Sequence, residues 1–338
     1  MVLLLCLFSS IVGYYFYRFI RERKRIDRID DKAILVTGCD SGFGRALVVR
    51  AAGEGMTVFA GCLTDQGIQS LKTECADLLV FPFKLDIAQD DSVKEARLFV
   101  DKHIGSKKFW GVVNNAGILT CFGPMDWCSP TEFRLAFEVN TLGGIRVTQA
   151  FSDLLKENCG RVVSTSSISG ILATAGCAPY AVSKFGVEAW MDCYRREVAV
   201  YGVSCHIIEP SGFNTNLLER GAMEKRLDTA WNKMDDDVKE DYGEEYKKEY
   251  LSFWFSRLSK AASGRLDYVV DYYLHALTAL RPRLRYQCGW DAILILQPLA
   301  SLPTPLQDSF FSFLNWADPP PVPASLQPGG KYFKAHSD

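Results

Sequence analysis

A short run rich in branched side chains, Ala33 to Thr37, leads directly into Gly38-Cys39-Asp40-Ser41-Gly42-Phe43-Gly44, and a helix-like stretch from Arg45 to Gly53 follows. The order predicted is strand, glycine turn, helix. Glycines at such a junction let the backbone approach a ligand phosphate closely, and the helix start behind them offers unpaired N–H groups and a favourable dipole. Turns also use glycine for conformational reasons alone, so the context has to decide.

Met56 to Cys62 supplies a second strand at the spacing of a strand–helix–strand unit, and Leu78 to Leu85 a third. Trp110–Val113, Arg161–Ser166 and Val203–Glu209 read as the fourth, fifth and sixth, with helical periodicity between them. The expected fold is α/β, a doubly wound parallel sheet between two helical layers. With 338 residues, 48% of them hydrophobic, the chain can bury one large core and carry appendages.

The 38 basic and 40 acidic residues create no overall field that would gather nucleic acid, which leaves a small molecule as the expected partner. Eleven cysteines stand singly, without Cys-x-x-Cys spacing, and the four histidines show no metal-ligand pattern. Reduced thiols and no metal are therefore expected. The absence of an Asn-x-Ser/Thr acceptor favours a cytosolic domain.

Val2 to Tyr17 carries no charge, and Arg18, Arg21, Arg23, Lys24 and Arg25 follow it. A helix over that stretch rises about 24 Å at ~1.5 Å per residue, slightly short of the ~30 Å hydrocarbon core. Residues 1–20 are expected to form a retained membrane anchor and residues 21–29 a basic linker, which places the remainder in the cytosol. An interfacial helix and an ordinary buried helix are the alternatives.

Tyr180 and Lys184 are four apart, so on a helix starting near Ala178 they share a face. A neighbouring ammonium stabilises a phenolate, which suits the pair to proton transfer. Ser167, at the end of the fifth strand, stands where a hydroxyl can bond a carbonyl or alcohol oxygen.

Taken in order, Thr37-Gly-x-x-x-Gly-x-Gly44, Asn114-Asn-Ala-Gly117, Ser167 and Tyr180-x-x-x-Lys184 resemble the short-chain dehydrogenase/reductase family over residues 30–290. The resemblance implies a Rossmann-type sheet that binds a nicotinamide dinucleotide. Gly38, Asp40, Ser41, Gly42, Phe43 and Gly44 would then cradle the cofactor, Asn114 and Ala116 line it, and Asp86 hold the adenine amine, the bland reading of Asp86 being a turn or cap aspartate. Lys184 would act with Tyr180 at cofactor and substrate, Asn140 would link Lys184 to a water relay, and Thr215 would meet the nicotinamide amide. Two departures stand out. Ser211 replaces a glycine before Thr215, and Cys62 occupies the strand end where an acidic residue would bind the ribose of NAD. Because no basic residue stands close to Cys62 to hold a 2′-phosphate, NAD is favoured over NADP.

Thr37–Gly44, Cys62-Leu63-Thr64, Ile208-Glu209-Pro210 and Gly289-Trp290-Asp291 are similar to the retinol and 3(17)-hydroxysteroid dehydrogenase subgroup, which implies a lipophilic alcohol or ketone. Residues 213–259 read as an amphipathic helical insertion, with Tyr242, Tyr246, Tyr250, Phe253 and Trp254 forming either core packing or a substrate lid. Residues 291–317 are apolar but broken by Pro298, Pro303 and Pro305, and either rest on a bilayer or pack on the domain. The proline-rich tail, 318–338, is expected to be disordered. The expected function is NAD-linked oxidation of a retinoid or hydroxysteroid at an intracellular membrane, the endoplasmic reticulum. A carbonyl reductase of another lipid, a non-catalytic cofactor-binding scaffold and a homodimer remain open.

Overall fold

The computed structural model describes Ser9, Gly13, Tyr17 and residues 21–333 except 262. Apart from those three positions, the expected anchor over residues 1–20 lies outside the described residues. Among the described residues no helix is long and apolar enough to cross a membrane.

Seven parallel strands form the sheet: β1 (Lys32–Thr37), β2 (Thr57–Cys62), β3 (Val80–Lys84), β4 (Lys108–Asn114), β5 (Arg161–Thr165), β6 (Ser204–Pro210) and β7 (Arg285–Cys288). Their order is β3-β2-β1-β4-β5-β6-β7, so the expected doubly wound sheet is present. Side chains alternate across each strand. Ile34 and Val36 of β1 therefore meet α1 (Gly42–Gly53), α2 (Asp65–Glu74) and α11 (Leu266–Thr278), through Leu47, Leu71 and Leu274. Ala33 and Leu35 face the other layer, made by α3 (Asp90–His103), α5 (Gly144–Ala150), α6 (Ser152–Glu157) and α7 (Ala178–Val198). That layer is reached from β4 through α4 (Pro130–Phe137).

Periodicity does not reveal β7. It has four residues, and polar Arg285 and Gln287 alternate with buried Tyr286 and Cys288, as on an edge strand. The insertion forms α8 (Arg220–Lys233), α9 (Asp236–Tyr242) and α10 (Glu244–Ala261). Past β7, prolines fall in the first turns of α12 (Gln297–Ala300) and α13 (Thr304–Ala317), where a missing N–H costs nothing.

The linker is held at the opposite end of β7. Ile26 N–H donates to the Thr278 carbonyl at 2.8 Å, and Glu22 pairs with Arg283 at 2.5 Å. Described through Phe333, the proline-rich tail has partners on distant helices. Arg257 of α10 donates to the Asp318 carbonyl at 2.7 Å, and Lys331 pairs with Asp241 of α9 at 3.6 Å. Proline loses little freedom on being ordered, which favours such docking.

Candidate active site

Strand order reverses between β1 and β4, so the loops leaving their carboxyl ends diverge and open a crevice. Gly38 has φ 70°, and a Cβ placed on it would stand 2.7 Å from Ala116 Cα, so the two loops meet backbone to backbone. Asn115 braces the contact. Its Nδ2 donates to the Thr37 and Gly38 carbonyls at 3.0 and 3.1 Å, and its Oδ1 accepts from Tyr273 at 3.2 Å. Thr37 Oγ1 accepts from the N–H groups of both Asn115 and Ala116 at 3.1 Å.

Helix α1 begins at Gly42 behind Ser41, which makes no side-chain cap, so its first-turn N–H groups have no side-chain acceptor there. Gly44, in the first turn, lies under the Asn115 amide. Phe43 packs edge-on against Phe213, and Thr215 Cγ2 lies 3.8 Å from where a Gly42 Cβ would be, which brings Thr215 to the loop. This uncapped backbone cradle fits a dinucleotide pyrophosphate.

Other residues of the predicted set are turned to the frame. Asn114 Nδ2 is buried against Thr148 Oγ1 (2.9 Å) and Ser164 Oγ (3.3 Å), tying β4 to α5 and β5. Asp86 Oδ1 accepts from Ala88 N–H at 3.0 Å, the turn contact of the plainer expectation. Asp40 reaches the end of β2, where its carboxylate accepts from the N–H groups of Leu63 and Thr64 and from Thr64 Oγ1. The sequence reading does not single out Asn115 or Tyr273. Asn115 carries no signal that separates it from Asn114, and its tyrosine partner is 158 positions away. Asn115→Ala is expected to cost about 1–3 kcal/mol in urea denaturation and to weaken dinucleotide binding roughly tenfold.

At the other end of the crevice, α7 sets Tyr180 and Lys184 one turn apart. Lys184 Nζ donates to the Thr165 carbonyl at 2.7 Å and lies 5.5 Å from the centre of the Tyr180 ring. Ser167 donates to the Pro210 carbonyl at 3.3 Å, and its hydroxyl is near enough to Tyr180 to favour the phenolate. Asn140 lies in a π-helical stretch, Glu138–Gly143, with Oδ1 accepting from Ile118 N–H at 2.7 Å and Nδ2 donating to Ser183 Oγ at 2.9 Å. A Cβ on Gly117 would lie 3.2 Å from Asn140 Oδ1 and 3.5 Å from Lys184 Nζ, so Asn140 and Lys184 meet at Gly117.

Burial governs the protonation of the pair. It pushes the Tyr180 phenol up to about 12, partly opposed by the Ser167 hydroxyl, and brings Lys184 down to about 8 against the charge of Glu188. The expected lowering of Tyr180 by the ammonium is not among the causes of its shift, which burial dominates. Behind the lysine, Arg285 pairs with Glu188 (3.0 Å), Asp192 (3.2 Å) and Glu209 (3.1 Å). Burial, then the charge of Glu188, raises fully buried Glu209 from 4.5 to about 7. The folded state therefore keeps a proton that the unfolded chain releases across that window, and stability falls as pH rises through it. In Glu209→Gln this slope is expected to flatten, as read from urea midpoints at pH 5 and pH 8.

The third wall is apolar. Tyr246 and Tyr250 of α10 are buried among Leu119, Phe122, Trp127 and Trp231, and Tyr180, Cys177 and Trp254 pack against the same cluster. Ring centres of Trp127 and Tyr250 lie 5.7 Å apart, and those of Phe122 and Trp254 5.5 Å apart. The aromatic stripe is therefore core packing that also borders the site.

Residues 32–225 match the short chain dehydrogenase family. The chain belongs to it. This short-chain dehydrogenase is an oxidoreductase acting on CH–OH donors, and its fold binds a nicotinamide dinucleotide. It is 41% identical to 3beta-hydroxysteroid dehydrogenase dhs-16 of Caenorhabditis elegans, over 93% of this chain and 83% of the relative. It is 39% identical to Retinol dehydrogenase 7 of Rattus norvegicus, over 89% of this chain and 94% of the relative. A short-chain dehydrogenase structure from Streptomyces avermitilis superposes with a TM-score of 0.65 at 25% identity, covering 85% of this chain and 96% of that one. Within the family the chain groups with the retinol and hydroxysteroid dehydrogenases.

Proposed function

We propose that the chain oxidises a retinoid or hydroxysteroid alcohol, with NAD as partner and Tyr180 as the group that moves the proton. The observation that carries this is the position of Tyr180, which joins the polar end formed by Ser167 and Lys184 to the aromatic cluster of Phe122, Trp127 and Tyr250. A lipophilic alcohol lying on that cluster presents its oxygen to both hydroxyls. Ser167 donates to the oxygen as charge develops, Tyr180 takes the alcohol proton, and the Lys184 charge favours the phenolate. The glycine loop and Thr215 hold the cofactor, whose nicotinamide ring supplies the hydride acceptor. The names of the relatives support the substrate class. Support for NAD comes from the Asp40 carboxylate in the glycine loop, from the lack of a basic residue at Leu63 and Thr64 after β2, and from Arg45, whose guanidinium is held by Glu74 at 2.5 Å.

A second reading, reduction of another lipid's carbonyl, draws support from the Tyr180 phenol, which keeps its proton at neutral pH. The location proposed is the endoplasmic reticulum membrane, with residues 1–20 as anchor and the catalytic domain in the cytosol. Leu306, Phe313 and Trp316 of α13 are exposed and would rest on the bilayer. Leu135, Phe137, Val182 and Phe185, exposed on the packed helices α4 and α7, would be covered in a homodimer.

The test is NADH formation by membranes carrying the full chain, with all-trans-retinol and with a 3-hydroxysteroid, alongside NADP and the reverse reactions with NADPH. Turnover of either alcohol with NAD supports the first reading. Turnover only of carbonyls with NADPH favours the second, and dinucleotide binding without any turnover would leave a scaffold.

A further inference from the structure

We infer that Asp40, a residue of the glycine loop, discriminates NAD from NADP in place of an acidic residue at the end of β2. The inference rests on the dinucleotide reading above and deepens it. In sheets of this kind, the acid that receives the ribose hydroxyls follows the glycines by about twenty residues, at the end of the second strand. Here that strand ends in Cys62, a buried thiol, and the two residues after it are Leu63 and Thr64. A carboxylate nevertheless occupies the place, delivered from the neighbouring loop.

Its hydrogen bonds leave room for a ligand. Asp40 Oδ2 accepts from Leu63 N–H at 2.7 Å, and Oδ1 accepts from Thr64 N–H at 2.9 Å and Thr64 Oγ1 at 2.6 Å. A carboxylate offers about four lone-pair positions. Three are filled, and the fourth, on Oδ2, suits one ribose hydroxyl. The local chain is built around this group. A Cβ on Gly67 would overlap an Asp40 carboxylate oxygen, and Thr64, while donating to Asp40, accepts from Gly67 N–H at 2.9 Å to cap α2.

Charge at this corner is adverse to a 2′-phosphate. Arg45 comes within 3.4 Å of the Asp40 carbonyl, but its guanidinium is engaged by Glu74 at 2.5 Å and Ser70 at 2.9 Å. Lys84, at the end of β3, is paired with Asp65 at 3.2 Å. Burial, and after it the charge of Asp40, pushes the Cys62 thiol up to about 12, so the strand end offers a neutral thiol beside that carboxylate and no cation. A phosphate there would face a fixed carboxylate with its nearby cations already engaged.

The experiment measures dissociation constants of NAD and NADP, by equilibrium dialysis on the full chain in detergent, for wild type, Asp40→Asn and Asp40→Ser. Asn keeps the size and one acceptor but removes the charge. Wild type is expected to bind NAD more tightly than NADP by about tenfold or more, and both variants to reduce that preference roughly tenfold, chiefly through tighter NADP binding. Melting temperatures measured in parallel report any loss of fold. An unchanged preference in the variants, or equal weakening of both dinucleotides, would make Asp40 a strut for the loop and overturn the inference. Wild-type preference for NADP would overturn it and leave the dinucleotide reading standing. Binding of neither by wild type would remove both.

Discussion

Tyr180→Phe is expected to lower kcat/KM by about 10²–10⁴-fold while leaving dinucleotide affinity nearly unchanged. The substitution removes one hydroxyl and keeps the ring, which packs against the aromatic cluster, so the wall of the site survives. What is lost is the proton carrier whose phenolate the Ser167 hydroxyl favours and which stands beside Lys184. The pH dependence is informative as well. In the free protein the phenol is pushed up to about 12 and Lys184 brought down to about 8, so oxidation should gain from rising pH until the lysine loses its charge. Initial rates with a saturating alcohol across that range, for wild type and variant, check both points. A variant that retained full turnover would place the proton elsewhere.

Arg285→Leu should be the most damaging change to stability, about 3–5 kcal/mol at pH 8, because it leaves buried carboxylates without their cation. Glu209 is fully buried and Glu188 nearly so, and each meets the guanidinium at close to 3 Å. Burial raises both carboxyls, Glu209 to about 7, so at pH 5 Glu209 takes up a proton and the penalty should shrink. Urea denaturation at the two pH values measures the difference. Equal destabilisation at both would mean that the loss is one of packing.

The parts of the fold legible in the sequence are those written in local periodicity. β1 to β6 announce themselves as short apolar runs, and the glycine loop and the Tyr180–Lys184 spacing are each contained within eight residues. Less legible is everything that depends on distant partners. Arg285 meets Glu188 from 97 positions away, on a strand too short and too polar to register as one. The engagement of Asp40 with Leu63 and Thr64 likewise cannot be seen until β1 and β2 lie side by side. The contact of Arg257 with the Asp318 carbonyl, 61 positions away, is equally invisible in the tail's composition.

The matched family segment stops at residue 225, yet the buried charges of β5, β6 and α7 find their counterparts beyond it. Arg161 is capped by the carbonyls of Ala276 and Ala279, Trp110 donates to that of Leu277, and Glu188 and Glu209 wait for Arg285. A chain cut after residue 225 would expose the sheet's last edge and strand a guanidinium and two carboxylates in its interior. The shortest fragment able to stand alone must therefore run at least through Cys288, and attempts to express the dinucleotide-binding half by itself should yield aggregates.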